Sequence, residues 1–117
     1  MGGKGYLVRH IDEVEPVPCY CGASTRVLPS SLGLAANLHV THITDSRKHY
    51  HQGCDEIYYI LEGKGTIELE DEQFPLRPGT VIYIPAGVRH RGYGDFRTIV
   101  VGVPPLEHGD EFFRPGD

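Results

Sequence analysis

Tryptophan is absent from this 117-residue chain, methionine occurs once and cysteine three times. A small, odd number of cysteines argues against the disulfide frame of a secreted mini-domain and fits free thiols in a reducing compartment, so a cytoplasmic location is expected. Cys19 and Cys21 lie close in sequence, but no second pair exists to complete a thiolate zinc site, and Cys54 alone cannot supply it. Positive charge is short as well. Eleven Lys and Arg against sixteen Asp and Glu leave a net charge of −5, and no window forms a basic stripe able to neutralise several phosphates, so nucleic acid is not an expected partner. Long apolar runs are missing. Stretches such as Ile57–Leu61 and Ile99–Val103 fall far below the roughly 18 residues that span a bilayer. The start, Met1 to His10, carries no apolar stretch of signal-peptide type. No membrane partner is expected.

Helical periodicity is also absent. Nine prolines and fifteen glycines are spread along the chain, and no window of about a dozen residues keeps an i, i+3, i+4, i+7 apolar stripe. At most a short helical turn is expected. What is there is a procession of short β-type runs. Leu34 to Ile43 alternates, with Leu34, Ala36, Leu38 and Val40 on one parity and Asn37, His39 and Thr41 on the other, which predicts a half-buried strand with its apolar parity inward. Thr44–Ser46 reads as a turn. Further strands are predicted at 56–61, 65–70, 73–76, 81–84 and 96–103, with Gly/Pro-bearing or charged punctuation between them. The class is all-β, in one domain covering 1–117, large enough to hold a core without staples.

Seven histidines are many for so short a chain, and their placement carries the chemistry. His49 and His51 stand at i, i+2, which on a strand is one face, close enough for two imidazoles to share an ion. Glu56 follows a turn-like link and opens the next strand, where its carboxylate can meet the pair from across a hairpin. Gly63 is read as closing that strand in the turn 62–65. His90 comes after Pro85-Ala86-Gly87, where a barrel rim would turn inward. Three neutral imidazoles and one carboxylate around a divalent ion leave a net charge of about +1 and, for an octahedral ion, roughly two open positions.

These residues form two spaced patterns, His49-x-His51-x4-Glu56-x6-Gly63 and Gly79-x5-Pro85-x-Gly87-x2-His90, separated by residues 64–78. Chance matches at all eight positions have a probability on the order of 10⁻¹¹ per starting point if each residue type occurs at a few per cent. The patterns closely resemble those of the cupin superfamily, in particular its small single-domain, quercetin-dioxygenase-like members, and span a motif core at 49–94. The resemblance implies a double-stranded β-helix, that is a jelly-roll cupin barrel, and frequently a homodimer formed by sheet extension. It also implies a single divalent transition metal ion (Fe, Mn, Ni, Zn, Co or Cu) held by His49, His51, Glu56 and His90. Two positions depart from the family pattern: Ile43 and Gly94 stand where a glycine and an asparagine are usual. Both concern loop geometry and leave the ligand positions filled.

The implied activity is that of an oxygenase-type enzyme acting on a small, chelating, oxygen-rich molecule, with Glu56 also available as a catalytic base. A redox-neutral isomerase or lyase, or a non-catalytic protein that binds a sugar or metabolite through the metal, uses the same residues. Among the remaining candidates, His39 or His42 is available to line the pocket but reads first as a structural histidine, and Arg26 and Arg47 as solvated side chains. Tyr58, Tyr83 and Tyr93 read as packing residues, one of which reaches the cavity. Glu68–Glu72 is expected to be a solvated hairpin, and Phe112-Phe113 to cover an edge strand.

Overall fold

A computed structural model describes residues 5–19 and 21–117; the first four residues and Tyr20, on which part of the N-terminal and Cys19–Cys21 readings fell, lie outside the described residues. Seven strands account for the fold: β1 (Val17–Cys19), β2 (Gly22–Leu28), β3 (Asn37–Asp45), β4 (Asp55–Leu69), β5 (Glu72–Leu76), β6 (Val81–Ile84) and β7 (His90–Val103). Among the described residues helical structure is limited to single 3-10 turns at Ile11–Glu13 and Ser30–Leu32. No helix among the described residues is long and apolar enough to cross a membrane.

The strands form one antiparallel sheet in the order β1-β2-β3-β7-β4-β5, with β6 on the free side of the first half of β4. Curled on itself, this is the jelly-roll barrel of the cupin fold. Its spine is the pairing of β4 with β7, from Asp55 opposite Val103 to Leu69 opposite His90. Residues 62–65 therefore do not turn, as the sequence reading had them. β4 runs through with a register shift between Ile60 and Glu62, and bends there. Glycine permits the bend. Gly94, opposite Gly65, sits at φ 129°, and a Cβ on it would stand 2.6 Å from the Gly65 Cα. The glycine in place of the family's asparagine is thus demanded by close strand contact.

Glu56, Tyr58 and Ile60 point inward along β4 and Ile57, Tyr59 and Leu61 outward, as the alternation predicts. In β3 the expected faces are reversed. Asn37, Thr41 and Ile43 are buried while Leu38 and Val40 are only partly covered, so the inward face of β3 carries polar side chains beside an apolar one. The core proper lies beyond the polar end, around Ile43, Ile60, Ile67, Ile84 and Phe96; each such side chain contributes about 1.5–3 kcal/mol on burial. Ile43 replaces the family's glycine as a core residue, and the need for a small residue passes to its partner Gly22, whose Cβ would collide with the His42 carbonyl. β3 continues through the expected turn to Asp45. β1 and β2 were not foreseen.

Candidate metal centre

The segment holding His49 and His51 is not a strand. His49 is bridged to His90, their backbones exchanging hydrogen bonds of 3.0 and 2.8 Å, and Tyr50 is bridged to Phe112. The Gly87 N–H donates to the His51 carbonyl at 2.7 Å, which ties the Pro85–Gly87 turn to the first pattern. His90 opens β7, and Glu56 projects inward from the second position of β4. These tethers bring the imidazoles of His49, His51 and His90 together, with one ligand atom of each within 4.8 Å of the others. Glu56 Oε1 lies 3.1 Å from His51 Nε2 and 3.2 Å from His90 Nε2. The three predicted histidines thus meet at one place, the i, i+2 pair from a bridged segment and not from a strand, with Glu56 beside His51 and His90.

The hydrogen bonds on the far side of each ring decide what the near side offers. His49 Nδ1 bonds the Arg47 carbonyl at 2.6 Å, His51 Nδ1 the Asp110 carbonyl at 2.6 Å, and His90 Nδ1 the Val88 carbonyl at 3.0 Å. A carbonyl can only accept, so each Nδ1 carries the hydrogen and each Nε2 of a neutral ring presents a lone pair. Glu56 faces these with another acceptor. Its Oε1 and His90 Nε2 are buried without a hydrogen-bond partner among the described residues. Convergent, acceptor-only nitrogen and oxygen atoms are the donor set of a divalent transition metal. Ligand atoms about 2.1 Å from one ion stand about 3.0 Å apart when adjacent in an octahedral shell, and the Glu56 separations match.

Electrostatics follow from the same contacts. In the metal-free protein burial alone would raise the Glu56 pKa, but His51 and His90, when protonated, donate to it and set positive charge beside it, which outweighs burial and holds the carboxyl below its usual range. Burial likewise opposes protonation of His51, yet Glu56 and the Asp110 carbonyl push its pKa up. His49, desolvated and beside two other imidazoles, is pushed down to about 4.

The other candidates divide. Tyr58 is the tyrosine that reaches the site, packed edge-on against His90 at 6.5 Å. His39 is half-buried on the inward parity of β3, its pKa lowered by burial and by the charge of Arg26; His42 is exposed and bonds Asp95 at 2.6 Å. Arg47 covers Phe113 with its guanidinium, 3.9 Å from the ring centroid. Cys54 is buried, and burial pushes its thiol up to about 11. The Glu68–Glu72 hairpin is not simply solvated: Glu68 pairs with Lys48 and Arg91, and Glu70 with Arg89. A charged groove of about 490 Å³ lies between Asp45, Arg47, Lys48, Glu68, Arg91 and Asp117, with none of the imidazoles in its walls; its charges largely pair with one another. Sequence reading missed Asp110 and Glu111. Phe112 pairs with Tyr50 rather than with an edge strand, and so delivers both acidic residues to the imidazoles; no spacing signal announced this.

Fold and site together define a β-barrel protein with a three-histidine cluster suited to a metal ion. The cupin domain model matches residues 39–101. The chain belongs to the cupin family. A crystal structure of a protein from Planctomyces limnophilus superposes with a TM-score of 0.88 at 35% identity, covering 96% of this chain and 100% of that one. An uncharacterized protein of Methanocaldococcus jannaschii, MJ1618, is 38% identical over 66 residues, 53% of each chain. The glucose-6-phosphate isomerase of Thermococcus gammatolerans is 37% identical over 76 residues, 57% of this chain and 40% of that protein. The aligned stretches thus span about half the length of these curated relatives or less.

Proposed function

We propose that the protein is a metal-dependent enzyme in which His49, His51, Glu56 and His90 hold one divalent transition metal ion and a small oxygen-rich molecule chelates the remaining positions. The observation that carries this reading is the commitment of all three Nδ1 atoms to carbonyls, which leaves three Nε2 lone pairs and a buried carboxylate converging with no proton donor between them. An ion held there would supply Lewis-acid polarisation of a carbonyl or enolate oxygen, and a redox-active ion would add electron exchange with O₂.

The chain's own residues supply the rest. Glu56, held ionised, would serve as the base that takes a proton from the bound molecule when its carboxylate swings off the ion. The carbonyls of Arg47, Asp110 and Val88 keep the rings turned toward the site. Tyr58 and the inward face of β3 exclude water behind it. Two chemistries suit this arrangement. Proton transfer without net oxidation, as in an isomerase or lyase, is supported by the likeness to glucose-6-phosphate isomerases; oxygenation of the same kind of chelating substrate rests on the family resemblance.

The test is elemental analysis of protein purified without chelator or nickel resin, followed by substrate screening under O₂. About one equivalent of metal per chain supports the centre, and turnover without oxygen uptake supports the isomerase or lyase reading. Oxygen consumption tied to substrate loss establishes the oxygenase instead. No metal, even after anaerobic reconstitution of the folded protein, refutes the centre and leaves a metal-free ligand-binding module.

A further inference from the structure

The segment after β7 reaches the site from outside both sequence patterns. It is tied down at Leu106, whose N–H donates to Asn37 Oδ1 at 2.7 Å, and it rejoins the barrel at Asp110. There the Asp110 carboxylate accepts from Gln52 and Gly53 N–H at 2.7 and 3.0 Å, while its carbonyl accepts from His51 Nδ1. Tyr50 and Phe112 exchange backbone hydrogen bonds of 3.0 and 2.9 Å. Between these two anchors stands Glu111. Its Oε1 lies 3.6 Å from His49 Nε2, on a side chain 37% exposed, against 14% for His49.

That contact is not a hydrogen bond between neutral His49 and a carboxylate. His49 Nδ1 holds its hydrogen against the Arg47 carbonyl, so Nε2 meets Glu111 lone pair to lone pair. The arrangement repeats that of Glu56 against His51 and His90. Two ligand atoms about 2.1 Å from one ion are about 3.4 Å apart in a tetrahedral shell and about 3.0 Å in an octahedral one. The 3.6 Å separation is close to the tetrahedral value, with Glu111 on the more exposed side of His49.

We propose that Glu111 is a second carboxylate ligand of the metal centre, delivered by the docked segment; this rests on the reading of His49, His51, Glu56 and His90 as that centre. Two carboxylates bring a divalent centre from a charge of about +1 to about zero and raise its share of oxygen ligands, which favours harder ions such as Mn²⁺ over Zn²⁺. Glu111 also takes a position that substrate would otherwise fill, so a chelating substrate must displace it or use what remains.

The experiment titrates metal-free wild type, Glu111→Gln and His51→Ala with Mn²⁺ and Zn²⁺, and records the visible spectra of the Co²⁺ forms. Glu111→Gln is expected to bind Mn²⁺ at least about ten-fold more weakly, to lose less for Zn²⁺, and to give an altered Co²⁺ spectrum. Thermal melts of the metal-free proteins confirm that the variant is folded, as its partly exposed position predicts. Equal affinity and an identical Co²⁺ spectrum in Glu111→Gln, with binding lost in His51→Ala, overturn the Glu111 assignment alone. A uniform loss for both ions with an unchanged spectrum also overturns it, since Glu111 would then only dock the segment. Absence of binding by folded wild type overturns the centre and this proposal together.

Discussion

His51→Ala separates metal binding from folding, and its size can be worked out. The side chain is 5% exposed, its Nε2 stands 3.1 Å from Glu56 Oε1, and its Nδ1 bonds the Asp110 carbonyl at 2.6 Å. Truncation leaves that carbonyl unpaired and costs about 1–3 kcal/mol in the metal-free protein. The informative quantity is therefore the metal-induced shift in melting temperature. Metal at 100 times its Kd stabilises the wild type by about 2.7 kcal/mol, about 10 °C for a domain of this size. Removing a nearby group that merely orients a ligand weakens a site about 10–100-fold. Loss of the ligand itself should reach the upper end of that range. At the same free metal the variant then gains only about 0.4 kcal/mol, or about 1–2 °C. Differential scanning fluorimetry of both proteins with and without metal measures this. A folded variant that keeps the full wild-type shift would refute the placing of His51 among the ligands.

Other outcomes follow from the same structure. In the metal-free protein, His49 has a folded pKa of about 4, below its unfolded value. It therefore contributes stability above about pH 6.5 that is lost as the pH falls toward 4, on the order of 3 kcal/mol; urea midpoints across this range should show wild type losing ground to His49→Gln, and parallel profiles would refute the shift. Gly94→Ala forces a Cβ against the backbone of Gly65 at a φ of 129°, so a loss above about 2 kcal/mol is expected in urea unfolding, and a near-neutral change would count against the strand contact. Ile57, Tyr59 and Leu61 on β4 and Val81 and Tyr83 on β6 form an exposed apolar face, which we propose pairs two copies; sedimentation should give a dimer for wild type and a monomer for Tyr59→Arg, and a monomeric wild type would refute it.

Much of the site was legible because its residues stand at the fixed spacings of two patterns, although His49 and His51 lie on a bridged segment and not on the expected strand. Glu56 faces inward through strand parity, and Pro85-Ala86-Gly87 places His90 at the start of β7. The strands rich in β-branched and aromatic residues were legible for the same reason. β1 and β2 were not, since Val17-Pro18-Cys19 is too short for a period and Gly22–Leu28 mixes small and polar residues. The inward face of β3 was misread because apolar alternation tells two faces apart without saying which is inside. Where polar side chains face inward the rule inverts, and Asn37 and Thr41 are buried while Leu38 and Val40 are only partly covered. Asp110 and Glu111 were invisible for a third reason. Their role comes from where a segment docks, and contacts 59 residues apart, such as that from His51 to Asp110, leave no periodic trace.

The carbonyls that orient the rings differ in origin. For His49 and His90 they belong to the residue two positions earlier, and for His51 to one 59 positions later. Two imidazoles are thus aimed as soon as their own turns form, while the third waits until the last segment of the domain has found its place. High-affinity binding then becomes a property of the finished barrel, and a partly folded chain should hold a metal only loosely. A metal-sensitive signal followed during refolding would accordingly time the closing event of assembly rather than its beginning.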